Sequence, residues 1–219
     1  MIEALLPNGV VAVEAFTDVP GEPPFPGEED LVVNAVEVRR REFVTARRCA
    51  RQALAALGHP ATPIRAGARR EPIWPAGVAG SITHCAGYRA AAVARHVDLA
   101  GLGIDAEPHD RLPDGVEESV TVPSERVHLR QLTDLDPAVS WDRLLFSAKE
   151  SVYKAWYPLT GRWLGFEDAE LTFEPRAGAF RARILVDGAR RDAGRPLTEV
   201  GGRFLIGGGL VLTAVSVSN

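Results

Sequence analysis

The sequence predicts an α+β protein built as two similar halves. Two observations carry this reading. A long stretch without proline or glycine, residues 28–57, precedes short segments rich in Val, Ile and small residues, and the same order then recurs, with helical stretches followed by four strand candidates. The halves are expected as residues 1–106 and 107–219, with a ligand cleft between them.

In chain order, the Pro/Gly-rich residues 19–27 read as a loop, and 28–57 as one helix closed by Gly58, His59 and Pro60. Residues 80–94 and 97–106 read as short strands that pair as a hairpin. Residues 111–115, again rich in Pro and Gly, separate the halves. One helix starts near Ser124 after Pro123, and another runs from Ser140, as N-cap, to Tyr157 before Pro158. Strand candidates 171–173, 180–186, 204–206 and 210–217 complete the chain.

Composition narrows the function classes. Of 219 residues, 46% are hydrophobic and 25% charged, the balance of an ordinary globular protein. The formal charge of −4 argues against a dedicated nucleic-acid binder, so any phosphate site must be local. No apolar run approaches the roughly 20 residues of a membrane span, and no basic segment precedes an apolar one at the N-terminus. A cytoplasmic protein with no membrane partner is expected. Cys49 and Cys85 have no C-x-x-C spacing and are expected as free thiols.

On the first helix, Val36, Phe43, Ala46, Ala50, Ala53, Leu54 and Leu57 form the core stripe. Arg41 and Arg48 point to solvent, Arg40, Arg47 and Arg51 flank the stripe, and Arg39 falls near its centre. A guanidinium there must snorkel, meet a carboxylate or meet a bound anion. Asp105 and Glu107, at i and i+2, leave the same face of an extended strand. They are either two exposed acids at a strand end or two oxygen ligands for a hard cation such as Mg²⁺. On the later helix, Leu144, Leu145, Ala148, Val152, Ala155 and Trp156 form the stripe. Glu150 and Lys154 project opposite to it, either as an i,i+4 surface pair or as the lining of the cleft.

Three segments, Gly80-Ser81-Ile82-Thr83-His84-Cys85, Gly103-Ile104-Asp105-Ala106-Glu107 and Phe146-Ser147-Ala148-Lys149-Glu150-Ser151-Val152-Tyr153-Lys154-Ala155-Trp156, together resemble the 4′-phosphopantetheinyl transferases. More narrowly, they resemble the monomeric class that serves siderophore, polyketide and lipid synthases, in its actinobacterial form. The resemblance implies a pseudo-dimer of two similar α/β halves with coenzyme A and Mg²⁺ between them. It implies Asp105, Glu107 and Glu150 as magnesium ligands, with Asp105, Glu150 and Lys154 catalytic. Lys149 and Lys154 would lie beside the pyrophosphate, His84 would contact a coenzyme A phosphate, and Arg39 and Arg47 would hold the 3′-phosphate.

Arg69 would replace the lysine of a Lys-Gly-x-Pro stretch beside the nucleotide. Arg70 stands where glycine is common, which predicts a different loop conformation. Thr83 stands where many relatives carry serine, and keeps the hydroxyl. Trp163 is expected to pack between helix and strand. The implied reaction is attack by a serine of an apo acyl or peptidyl carrier protein on the β-phosphate of coenzyme A, releasing adenosine 3′,5′-bisphosphate. Glu150 or a bound water would take the proton. Residues 116–132, with Arg126, His128 and Arg130, are expected in the carrier-protein surface. Two other readings stay open: a non-catalytic coenzyme A-binding protein, against which the intact acids argue, and a magnesium-dependent phosphodiesterase acting on coenzyme A or holo carrier proteins.

Overall fold

A computed structural model describes residues 1–219. Two antiparallel sheets each carry a twenty-residue helix on one face. The first sheet has the order β1-β3-β2, from Val11–Ala15, Tyr88–Arg95 and Val78–Cys85, and is covered by α1, Glu37–Ala56. The second has the order β4-β8-β7-β6-β5, from Gly101–Pro108, Leu210–Val217, Glu199–Gly207, Ala179–Ile184 and Ala169–Glu174. Its cover is α4, Trp141–Thr160, with the short α2, Val116–Val120, and α3, Pro123–Leu135, beside it. No helix is long and apolar enough to cross a membrane.

Three apolar cores follow from this layering. Ala50, Ala53 and Leu54 of α1 pack on Ala91 and Val93 of β3. Leu144, Leu145, Val152 and Trp156 of α4 join Leu171, Phe173 and Phe180. Between the sheets, Tyr88, Ala90 and Ala92 of β3 meet Leu102, Ile104 and Ala106 of β4.

Several expectations change here. The predicted hairpin of 80–94 with 97–106 does not form: β2 and β3 are the hairpin, and β4 pairs with β8, more than 100 residues away. The expected division after Ala106 therefore falls inside β4, a strand of the second sheet. The first helix begins at Glu37, not residue 28, because Glu28 is buried and accepts from Arg51 and the Ile64 N–H at 2.7 Å each. The fourth helix continues past Pro158 to Thr160; a proline near the end costs only the bond to the carbonyl four residues back. Gly161, at φ +67°, then closes it.

The two sheets are stitched by hydroxyls. As the edge strand, β4 leaves alternate N–H groups without a strand partner, a cost if buried. Ser81 and Thr83, two residues apart on β2, face it: Ser81 Oγ accepts from Ile104 N–H at 3.0 Å and Thr83 Oγ1 from Ala106 N–H at 3.1 Å. Alternation sends Ile82 and His84 to the opposite face of β2, toward α1.

The position of α4 depends on two glycines. A Cβ on Gly103 would lie 1.9 Å from the Ser151 carbonyl oxygen, and one on Gly101 would lie 2.8 Å from Leu159 Cδ1. Without side chains at these positions, the helix backbone settles directly on β4. Gly103→Ala must lift α4, an overpacking cost of about 3 kcal/mol at a backbone contact. A fall in melting temperature of roughly 6–12 °C is expected for a chain of this size; thermal melting with no shift would show that α4 does not sit on β4.

Candidate active site

A cavity of about 910 Å³ lies where α1, β2, β4 and α4 meet. Arg39, Arg47 and His84 line one wall, and Asp105, Glu150 and Lys154 another. Arg69 stands at its edge on the loop between α1 and β2. A second cavity, of about 490 Å³, opens on the far side of the second sheet and contains none of the expected site residues.

Asp105 is the most constrained acid. Its Oδ1 accepts from Thr83 Oγ1 at 3.2 Å and from Lys154 Nζ at 2.7 Å. Its Oδ2 is buried without any partner, an arrangement that costs free energy unless a ligand completes it. Glu150 makes no ion pair; Lys154, expected to pair with it along the helix, instead reaches Asp105 and the Ile104 carbonyl at 3.2 Å. Burial raises the Glu150 pKa above the ordinary carboxylate value, Lys154 opposes the shift and Asp105 adds to it. Glu107 is pushed up to about 7 by burial and then by Asp105, although Arg143 bonds its Oε2 at 3.1 Å. The three acids do not stand together at metal-ligating distances. What fits a hard cation is the donor set: an orphaned buried oxygen on Asp105, an unpaired carboxylate on Glu150 and a half-engaged one on Glu107.

The basic wall differs from its helical-wheel picture. Arg39 is not buried: its side chain is 57% exposed, because α1 has only just begun there and no sheet lies beneath it. Val36, also placed in the stripe, is 73% exposed for the same reason. Arg47 is the buried guanidinium, with Nε donating to the Ile64 carbonyl at 3.1 Å and the Phe43 ring 3.7 Å away. Burial pushes its pKa down to about 10.

Arg39 Nη1 donates to His84 Nδ1 at 3.0 Å. Glu42 lies 3.5 Å from the same nitrogen, which would be an ion pair only for a protonated ring. Burial, with Arg39, Lys154, Arg89 and Arg47 around it, pushes His84 down to about 3. The ring is therefore neutral, with Nδ1 an acceptor and the proton on Nε2.

Other expected residues sit differently. Lys149 does not line the cavity: one residue before Glu150, it is rotated about 100° around the helix. Its buried Nζ donates to Glu125 at 2.8 Å and to the Phe166 carbonyl at 2.6 Å. Arg69 lies 5.5 Å from the Trp163 ring. Trp163 does not pack between helix and strand; it is 59% exposed, 5.0 Å from Tyr153. Arg70 adopts φ +65°, so the loop keeps the left-handed geometry that glycine would supply. His128 accepts from Phe173 N–H at 3.0 Å and Arg126 bonds Thr121, so both have structural partners. Sequence reasoning missed Trp74, whose ring stacks against Gly80 and whose Nε1 donates to the Gly80 carbonyl at 2.9 Å, and it missed Arg143. A glycine on a strand close in sequence to a tryptophan was the only signal for the first; the second had none.

Comparison with known proteins covers nearly the whole chain. Residues 27–94 match the 4′-phosphopantetheinyl transferase N-terminal domain, and residues 101–195 match the 4′-phosphopantetheinyl transferase superfamily. The chain is 55% identical to the 4′-phosphopantetheinyl transferase Svp of Streptomyces mobaraensis, over 100% of this chain and 89% of that one. It is 50% identical to Npt of Nocardia iowensis, over 99% of each. It is also 50% identical to PptT of Mycobacterium tuberculosis, over 92% and 89% respectively.

A His pKa near 3 in the fold, against about 6.5 unfolded, means that the unfolded chain binds the extra proton between these values. Stability contributed by neutral His84 is complete above about pH 6.5 and is lost as pH falls toward 3. In urea unfolding across pH 7 to 4.5, His84→Gln is expected to lose less stability than the parent protein. Equal losses would show that His84 is not held neutral.

Proposed function

The chain belongs to the 4′-phosphopantetheinyl transferase superfamily and is an enzyme that modifies carrier proteins from coenzyme A; from that premise we propose that Asp105, Glu107 and Glu150 hold Mg²⁺ while Arg39, Arg47, Arg69 and His84 hold coenzyme A. The observation that carries this reading is the buried, partnerless Oδ2 of Asp105 in the lining of the cavity, an acceptor that a cation would complete. When bound, the metal screens the pyrophosphate charge and aligns it for in-line displacement.

The chain's own residues do the rest. The serine hydroxyl of the carrier attacks the β-phosphorus, a new O–P bond forms, and the bond to the bridging oxygen breaks toward the α-phosphate. Glu150, buried and free of protein partners, takes the serine proton either directly or through a water beside it. Two of the three Lys154 donors are engaged, with Asp105 and the Ile104 carbonyl. The third remains for the α-phosphate as its charge grows. At the other end, the Arg39 bond to Nδ1 leaves the Nε2–H of His84 as a donor to phosphate. Lys149 has no part in phosphate binding in this reading.

One chain supplies both walls of the cavity, which supports action as a monomer. A cytoplasmic site of action belongs to the same proposal, supported by the coenzyme A substrate and by free Cys49 and Cys85. Exposed Arg130 on α3, with Arg126 one turn before it, supports a docking face for an acidic carrier protein.

Intact mass spectrometry of an apo carrier protein incubated with enzyme, coenzyme A and Mg²⁺, with an EDTA control, tests the assignment. Glu150→Gln is expected to cut the rate by about 10²–10⁴-fold with an unchanged melting curve; near-normal transfer removes Glu150 from the mechanism. Arg39→Ala is expected to weaken coenzyme A binding by about 10-fold or more, the value of a charged hydrogen bond, and to spare dephospho-coenzyme A. Equal losses for both ligands in calorimetry would place the 3′-phosphate elsewhere.

A further inference from the structure

Arg143, in the first turn of α4, spends all three guanidinium nitrogens on the end of β4 and the segment that follows it. Nη1 donates to Glu107 Oε2 at 3.1 Å, Nε to the Asp110 carbonyl at 3.0 Å, and Nη2 to the Arg111 carbonyl at 2.9 Å. Two further bonds tie the same pieces: Leu112 N–H donates to Asp142 Oδ2 at 2.8 Å, and Ser140 N–H donates to His109 Nε2 at 3.0 Å. The start of α4 and the end of β4 thus form one unit. Within it, the Arg143 fork is the only side chain that grips the Glu107 carboxylate.

We propose that Arg143 is a positioning residue that orients the Glu107 carboxylate toward the cation and thereby sets cation affinity. The inference rests on Glu107 being a metal ligand, as proposed above. A glutamate near a strand end has several free torsions, whereas a planar fork anchored to two backbone carbonyls has almost none. By engaging Oε2 alone it leaves Oε1 without a protein partner. Groups that hold a ligating carboxylate from outside typically change metal affinity 10–100-fold when removed. A lysine would preserve the charge but not the fork.

Isothermal titration of the coenzyme A-saturated enzyme with Mn²⁺ tests this, using Arg143→Lys, Arg143→Leu, Glu107→Gln and the Glu107→Gln/Arg143→Leu pair. Both Arg143 variants are expected to bind Mn²⁺ about 10-fold more weakly or worse, with coenzyme A affinity measured in EDTA unchanged. Excess Mg²⁺ should restore their turnover, which a general structural defect would not allow. The double variant should bind no more weakly than Glu107→Gln alone, since the two act as one. Parent-like Mn²⁺ binding in the Arg143 variants, with weak binding in Glu107→Gln, overturns the inference and leaves Glu107 as a ligand. Tighter binding in Arg143→Leu also overturns it, because charge repulsion would then dominate. Parent-like binding in Glu107→Gln removes the ligand assignment itself. Should Arg143→Leu fail to fold, Arg143→Lys carries the test alone.

Discussion

Everything in the site depends on how closely α4 approaches β4. A helix usually rides on a sheet at a distance set by the side chains between them, yet here Gly101 and Gly103 remove those side chains. The two backbones come together, and short distances follow along the whole contact. Lys154 reaches the Ile104 carbonyl and Asp105, Thr213 of the neighbouring strand bonds the Ser147 carbonyl at 2.9 Å, and Arg143 reaches Glu107. With an ordinary spacer of alanine or valine, the Lys154 ammonium would meet water before it met the carboxylate.

The second constraint is the seam between the sheets. Two sheets joined by backbone hydrogen bonds would be a single sheet, with no cavity at their junction. Joining them through the hydroxyls of Ser81 and Thr83 satisfies the edge of β4 while keeping the sheets distinct. Thr83 has a further role, since its hydroxyl hydrogen goes to Asp105 Oδ1 as its oxygen accepts from Ala106. The phosphate wall and the acid wall therefore share one residue pair. A valine at 83, equal in shape, would orphan a buried N–H and leave Asp105 Oδ1 held by Lys154 alone.

Much of this could be read from residues, but unevenly. The strand candidates of the last third were readable because Val, Leu and Phe alternate there, and Gly58 announced the end of α1. Pairing across more than 100 residues leaves no local mark, so β4 was given to the wrong partner. Absence of proline and glycine from residue 28 onward looked like helix, but Glu28 is bound by Arg51 and Ile64 instead, a tertiary demand that propensity does not carry. That misplaced start put Arg39 in a core that does not exist at its level. Glu150 and Lys154 read as an ordinary surface pair by periodicity, and only the family resemblance marked them. The same resemblance implied Lys149 beside the pyrophosphate, whereas the structure turns it toward Glu125, because adjacency to Glu150 in sequence is a 100° rotation in space.

The cavity gathers basic and acidic groups locally, which is how a chain with net charge −4 can receive a polyanion. Burial, with Arg39, Lys154, Arg89 and Arg47 around it, keeps His84 neutral. In the same cavity, Asp105 holds an unmatched oxygen and Glu150 a carboxylate with no ion-pair partner. Neither cluster can neutralise the other fully, because Lys154 alone spans them and it has already been drawn to Asp105. In the function proposed above, a polyanionic ligand would relieve the basic wall and a divalent cation the acidic one, so each would make the other's binding less costly. The overall charge is then free to stay negative, since recognition is decided by a handful of buried groups rather than by the surface field.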